Sequence, residues 1–270
     1  MPPHQVLRFL APALVAAAGA TAPVLASAIP FAAADPCPDA QVVFARGTDD
    51  PPGVGPTGQA FLDSLRPRVG TRSFNVYPVD YPATYDFTNA AKVGIRDASS
   101  HIVSMAHDCP NTKMVLGGYS SGAAVMGFVT SADVPAGIDP ASVPKPLDPE
   151  VANHVSSVVL YALPSDKTMH LFGAPPVVIG PLYQAKTIVV CAPGDPICSD
   201  GGSFDVHKSY SSNVPVIDQG AAFAADHLAA AGPGGPAAPG GPPAPAVPAP
   251  AGPGSPAAVL AAPSGAGSGG

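Results

Sequence analysis

Between Asp35 and Ala231 the spacing of apolar positions keeps changing. Five short runs, Gln41–Ala45 (QVVFA), Ser73–Val79 (SFNVYPV), Lys113–Gly118 (KMVLGG), Val155–Ala162 (VSSVVLYA) and Lys186–Cys191 (KTIVVC), are rich in β-branched and aromatic residues and bounded by polar or turn residues. Their length and composition predict strands. Between them the apolar residues recur at helical spacing. Thr57–Val69 places Phe61, Leu62 and Leu65 on one face, Asn89–His107 is long and amphipathic, and Ser121–Thr130 and Val216–Ala230 complete the set of predicted helices. Strands alternating with helices predict an α/β fold: a mostly parallel sheet with helices on both faces. Asp133–Asn153 and Pro164–Gln184 are Pro-rich, hold no period and are assigned to no element.

The flanks read differently. In residues 1–34, Arg8 precedes a run from Phe9 to Phe31 without a charged side chain, followed by small residues. This is the pattern of a cleaved secretory signal peptide, with Ala26-Ser27-Ala28 and Ala32-Ala33-Ala34 both fitting a cleavage site. The mature chain is expected to begin near Asp35. Pro12, Pro23 and Pro30 make the run a poor permanent span, so no stable membrane span is expected after cleavage. Residues 232–270 carry 11 Pro and 11 Gly and no charge or aromatic ring. Such a segment cannot bury enough apolar surface to offset its ordering entropy and reads as a disordered tail, with a tether to a cell wall as the sharper alternative. The middle segment, 35–231, is sized for one core. With 12 Lys+Arg against 19 Asp+Glu the chain has no basic face for nucleic acid.

Export makes disulfides the default for the four cysteines, which also lack the paired short spacing of a zinc site. Cys37 precedes the first predicted strand and Cys109 the third, and in a doubly wound sheet those strands are commonly neighbours. Cys191 and Cys198 would close a small loop after the fifth strand. The pairing expected is therefore Cys37–Cys109 and Cys191–Cys198.

At the third strand-to-helix junction the chain reads G-Y-S-S-G, Gly118 to Gly122. The pattern G-x-S-x-G suits a turn too tight for flanking side chains and presents its central serine, Ser120, above the sheet. The following helix offers a free N–H, that of Ser121, to a developing oxyanion. A serine needs a base and an orienting acid, expected here in the chain order Ser, acid, His. His154 starts a strand, at the wrong edge; His170 precedes the fifth strand; His227 reads as a helix-surface residue. His207 follows the fifth strand and is preceded by Asp195 inside the Cys191–Cys198 loop. Asp200 and Asp205 compete with Asp195 but read more simply as solvated loop acids. The catalytic set expected is Ser120, Asp195 and His207.

The strings F-A-R-G-T (Phe44–Thr48), G-Y-S-S-G, C-A-P-G-D-P-I-C (Cys191–Cys198) and H-K-S-Y (His207–Tyr210) together resemble the cutinase family, and more narrowly the cutinase-like secreted esterases of mycobacteria and related actinobacteria. The resemblance implies a lidless α/β-hydrolase with a five-stranded parallel sheet, a Ser120–Asp195–His207 triad, and Thr48 beside Ser121 as oxyanion donors. Family members usually carry Gln after the nucleophile, where this chain has Ser121. The function expected is that of a secreted serine esterase acting on ester or lipid substrates through an acyl-enzyme, without metal or cofactor, as a monomer. Its rivals are an acyltransferase using the same triad and a non-catalytic cell-wall or antigen-type binding protein.

Overall fold

The structure, a computed structural model, describes residues 37–232; the expectations for residues 1–34 and for the tail, Gly232 apart, lie outside the described residues. Five strands form: β1 (Ala40–Ala45), β2 (Phe74–Pro78), β3 (Lys113–Tyr119), β4 (Val155–Tyr161) and β5 (Thr187–Val190). All pair in parallel, in the order β2-β1-β3-β4-β5. A parallel pair needs a crossover, and helices supply it: α1 (Gly55–Leu65), α2 (Phe87–Asp108), α3 (Ser121–Val129), α4 (Asp166–Leu171) and α5 (Pro181–Gln184) lie between strands, and α6 (Phe204–Lys208) and α7 (Val214–Ala230) follow β5.

Successive strand residues face opposite sides of the sheet, and each side carries its own core. Val43, Leu116 and Leu160 pack with Ile102 of α2 and Met126 of α3. Phe44, Val159 and Tyr161 pack with Phe61 of α1 and Leu228 of α7. The central strands β1, β3 and β4 are buried along their whole length, which is why they read as largely apolar runs, whereas the edge strand β2 is only partly covered.

Proline explains two boundaries. The periodicity of the first helix predicts continuation to Val69, but the α-helix ends at Leu65 and passes into a 3-10 turn over Arg66–Arg68. Pro67 has no N–H for a helix interior. The last helix begins two residues before its apolar pattern, at Val214, with Pro215 in its first turn, where a missing N–H costs nothing. The two segments without a period hold α4, α5 and 3-10 turns at Pro140–Ser142 and Pro149–His154.

Both expected disulfides form. Cys37–Cys109, with Cα atoms 5.5 Å apart, joins the starts of β1 and β3, which are in register from Ala40↔Lys113. Cys191–Cys198 closes the loop beyond β5. At the same amino edge of the sheet as Cys37, Arg72 donates a 2.6 Å hydrogen bond to the carbonyl of Leu228 near the end of α7. Among the described residues no helix is long and apolar enough to cross a membrane.

Candidate active site

The turn between β3 and α3 is set by its two glycines. A Cβ on Gly118 would stand 2.3 Å from the carbonyl oxygen of Gly122, and one on Gly122 would stand 2.1 Å from that of Ala45. With both side chains absent, α3 packs directly on the end of β1. Ser120 between them takes φ 55° and ψ −120°, a conformation costing a non-glycine residue about 1–3 kcal/mol and held here by its surroundings. Its amide donates to the Tyr161 carbonyl at 2.9 Å, and its side chain caps no helix amide. The hydroxyl is left for other chemistry.

That hydroxyl lies 3.0 Å from Nε2 of His207. His207 rides on α6, a helix of one turn begun by the Ser203 side chain, which accepts from the Asp205 amide at 3.1 Å. The imidazole stacks on Tyr119, whose hydroxyl donates to the His207 carbonyl, and its side chain is 12% exposed. Nδ1 meets the Asp195 carboxylate at 2.9 and 3.0 Å. Ser120, His207 and Asp195 thus form one hydrogen-bonded line, although 87 residues separate the serine from the histidine.

Asp195 is fully buried. Burial alone would raise its pKa, but hydrogen bonds from His207, the Ile197 amide and the Tyr210 hydroxyl outweigh it, and the carboxyl is held below its ordinary value. The Ile197 amide donates at 2.8 Å and Tyr210 at 2.9 Å. The Tyr210 hydroxyl in turn accepts from the Ala192 amide at 2.8 Å, which ties it to the small disulfide loop. Burial, followed by the bond to Asp195, pushes the Tyr210 phenol well above its ordinary pKa, so it stays a donor.

Thr48 and Ser121 meet across the mouth of the site, with the Thr48 hydroxyl donating to Ser121 Oγ at 2.8 Å. Among the described residues neither backbone amide has a protein acceptor. Below Thr48 the loop is clamped by a buried arginine. Arg46 donates from Nε to the Asp50 carbonyl at 3.0 Å and from its guanidinium to the Tyr81 carbonyl at 2.6 Å, while Tyr81 donates back to the Arg46 carbonyl. The Asp50 carboxylate accepts the Gly47 amide at 2.9 Å, and its pKa is raised because burial outweighs that bond and the Arg46 charge. A cavity of about 630 Å³ opens at Thr48, Ser120 and His207.

The other candidates stand apart. His154 lies at the start of β4, at the opposite edge of the sheet, and His170 sits on α4. His227 packs at a tilt against Phe223 and bonds its carbonyl at 2.9 Å. Asp200 pairs with Lys167 in open solvent, and Asp205 is exposed. Tyr210, Tyr119, Arg46 and Asp50 are site residues to which motif reading assigns no role. Tyr210, Tyr119 and Arg46 lie inside the quoted strings, and a buried-polar signature of this kind appears only once the chain is folded.

The family model described as Cutinase matches residues 36–228. Over 168 residues the chain is 53% identical to a probable carboxylesterase, Culp5, of Mycobacterium tuberculosis, covering 62% of this chain and 95% of that one. Over 201 residues it is 46% identical to the carboxylesterase Culp1 of Mycobacterium bovis, covering 74% of this chain and 86% of that one. Among solved structures it is similar to Trichoderma reesei cutinase in complex with a phosphonate inhibitor, at 32% identity and a TM-score of 0.52, covering 72% of this chain and 78% of that one.

Proposed function

The chain belongs to the cutinase family and is a carboxylic ester hydrolase, and on that premise we propose that Ser120, His207 and Asp195 carry the reaction through a covalent acyl-enzyme. The observation that carries this reading is the unbroken line from Ser120 Oγ through both imidazole nitrogens to a buried carboxylate.

Ser120 Oγ attacks the ester carbonyl carbon as His207 Nε2 takes its proton. The carbonyl oxygen becomes an oxyanion facing the Thr48 and Ser121 amides. The Thr48–Ser121 hydroxyl pair holds those donors in place before the charge develops, so little reorganisation is needed. Collapse of the tetrahedral intermediate expels the alkoxide, which leaves as the alcohol after taking the proton from Nε2. Water then attacks the acyl-serine with His207 again as base, and the acid departs as Ser120 recovers its proton. Asp195 keeps Nδ1 protonated, fixes the ring plane and stabilises the imidazolium.

Replacement of Ser120 by Ala is expected to lower hydrolysis of a short-chain ester by several orders of magnitude and to abolish labelling by a serine-directed phosphonate. Retention of full hydrolysis would refute the assignment. Export belongs to the same reading, supported by the uncharged leader run and by two disulfides of the kind oxidising compartments maintain. Extracellular protein whose intact mass still includes residues 1–34 would count against it.

A further inference from the structure

The amino edge of the sheet, opposite the reacting groups, holds a second cluster of titratable side chains. Because β4 lies between β3 and β5, the residues that open its two neighbours flank the turn that enters it. Lys113 is the first residue of β3 and Lys186 stands immediately before β5, while the 3-10 turn Pro149–His154 leads into β4. Both lysines reach that turn. Lys113 Nζ donates to the Asn153 carbonyl at 3.3 Å, and Lys186 Nζ donates to the carbonyls of Ala152 and Val155 at 2.5 and 3.0 Å. These bonds bring both positive charges to the carbonyl end of the turn, the end at which a helical segment is negative. None of these residues lines the catalytic cavity.

Capping of the turn accounts for only part of the cluster. Each ammonium carries three N–H donors; Lys113 uses one of them, over a long distance, and Lys186 uses two. Lys113 is only 9% exposed, yet no carboxylate among the described residues pairs with either lysine. Asp148 and Glu150, at the start of the same turn, are exposed to solvent. Burial and then the Lys113 charge push the pKa of Lys186 down to about 8. Two polar atoms of the cluster are also buried without a hydrogen-bond partner: Nδ1 of His154 on the turn, and the hydroxyl of Tyr183, whose ring lies 5.3 Å from Lys186 Nζ. Burial pushes the pKa of that phenol up to about 12, so it stays a donor. Enclosed charges are ordinarily paired. This pair has donors to spare and no anion.

From this arrangement we propose that Lys113 and Lys186 form a binding site for a tetrahedral oxyanion, a phosphate or sulfate group, at the edge of the sheet remote from the catalytic serine. The oxyanion accepts from both ammonium groups and supplies the absent negative charge. The two positive charges match a sulfate dianion, or a phosphate group carrying about −1.5 to −2 near neutral pH, whereas a carboxylate would offset only one of them. Lysine serves such a ligand as a point charge on a flexible stem, which lets two strand-end residues converge on one ion. The site is independent of the triad and does not require Ser120 to be the nucleophile.

The test acetylates the unmodified protein with acetic anhydride at about pH 8, where Lys186 titrates, and follows Lys186 by peptide mass. Lys167, with its side chain 82% exposed, is the reference for reagent consumed. Separate arms contain inorganic phosphate, sulfate, glycerol 2-phosphate or chloride at matched ionic strength. A bound oxyanion favours the charged amine. A rise of about one unit in the Lys186 pKa takes its neutral fraction at that pH from about one half to about one tenth, so phosphate and sulfate should slow its labelling about fivefold or more relative to chloride. Protection by the inorganic ions alone identifies a free ion as the ligand; equal protection by glycerol 2-phosphate identifies a group carried on a larger molecule. Protection no greater than that by chloride overturns the proposal. Lys113→Met, with its fold checked by hydrolysis of 4-nitrophenyl acetate, should lose the protection, and protection retained overturns the pairing of the two lysines. Melting temperature reads the same site without labelling. Phosphate should raise it by about 3 °C or more in the unmodified protein beyond the rise in Lys113→Met, which reports the general salt effect. Equal rises in the two proteins overturn the site.

Discussion

Tyr210→Phe isolates what a single oxygen does for the acid of the site. The residue is fully buried, and its hydroxyl donates to Asp195 at 2.9 Å and accepts from the Ala192 amide at 2.8 Å, with Cys198 Sγ 3.5 Å away. A hydrogen bond to a charged group contributes about 1.5–3 kcal/mol, and an orphaned buried amide costs about 1–3 kcal/mol. Together they predict a loss of about 3–5 kcal/mol, with the ring packing unchanged. Tyr161→Phe is the internal comparison. It removes one bond, at 2.7 Å, to the uncharged Ile217 carbonyl and should cost about 1 kcal/mol. Urea denaturation at neutral pH measures both. The pH dependence separates charge from packing. Asp195 has a depressed folded-state pKa, so its contribution is fully present above the unfolded value near 3.8 and is lost as pH falls through the lower folded value. Losing one of its donors reduces that depression, so the gap between Tyr210→Phe and the unmodified protein should narrow as pH drops below about 4. Equal losses for the two tyrosines, or a gap independent of pH, would refute the view that this hydroxyl serves the carboxylate.

Two further outcomes follow from the same structure. Removing Cys191–Cys198 should cost about 2.5 kcal/mol and Cys37–Cys109 about 4 kcal/mol by loop-closure entropy, yet esterase activity at a temperature where both variants are folded should fall more for the small loop; the opposite order of activities would show that the loop does not position Asp195. All seven tyrosines have pKa values raised in the fold, chiefly by burial for the six most enclosed and by Asp49 for the exposed Tyr85. Above pH 10, the ordinary tyrosine value, the unfolded chain releases protons that the folded one keeps, so stability falls with rising pH. Tyrosinate absorbance should therefore appear together with unfolding, and a large rise in the still-folded protein would contradict the burial argument.

The sheet was legible because its central strands are covered on both faces, so burial prints itself as runs without a charge such as Met114–Gly118. The nucleophile was legible because the turn tolerates nothing larger than hydrogen at Gly118 and Gly122, a constraint that leaves a literal trace in the chain. The segments around α4 and α5 left none: helices of six and four residues are too short to show a period. The network behind the triad was hidden for a different reason. Tyr210 and Arg46 look like ordinary residues until folding brings Asp195 beside the one and the Tyr81 carbonyl, 35 residues along the chain, beside the other, and no local spacing encodes such meetings.

Because every strand points the same way, the reacting groups gather at one rim, and the described chain both begins and ends near the other. Cys37 lies at the start of β1, and the Arg72–Leu228 bond holds the final turns of α7 close to where β2 begins. A linkage at either end of the described chain therefore lies on the side away from the mouth. A surface linkage at this amino edge, beside Pro38 or Gly232, would leave the entrance open to bulky or insoluble esters, whereas attachment through α2 or α6 would close it.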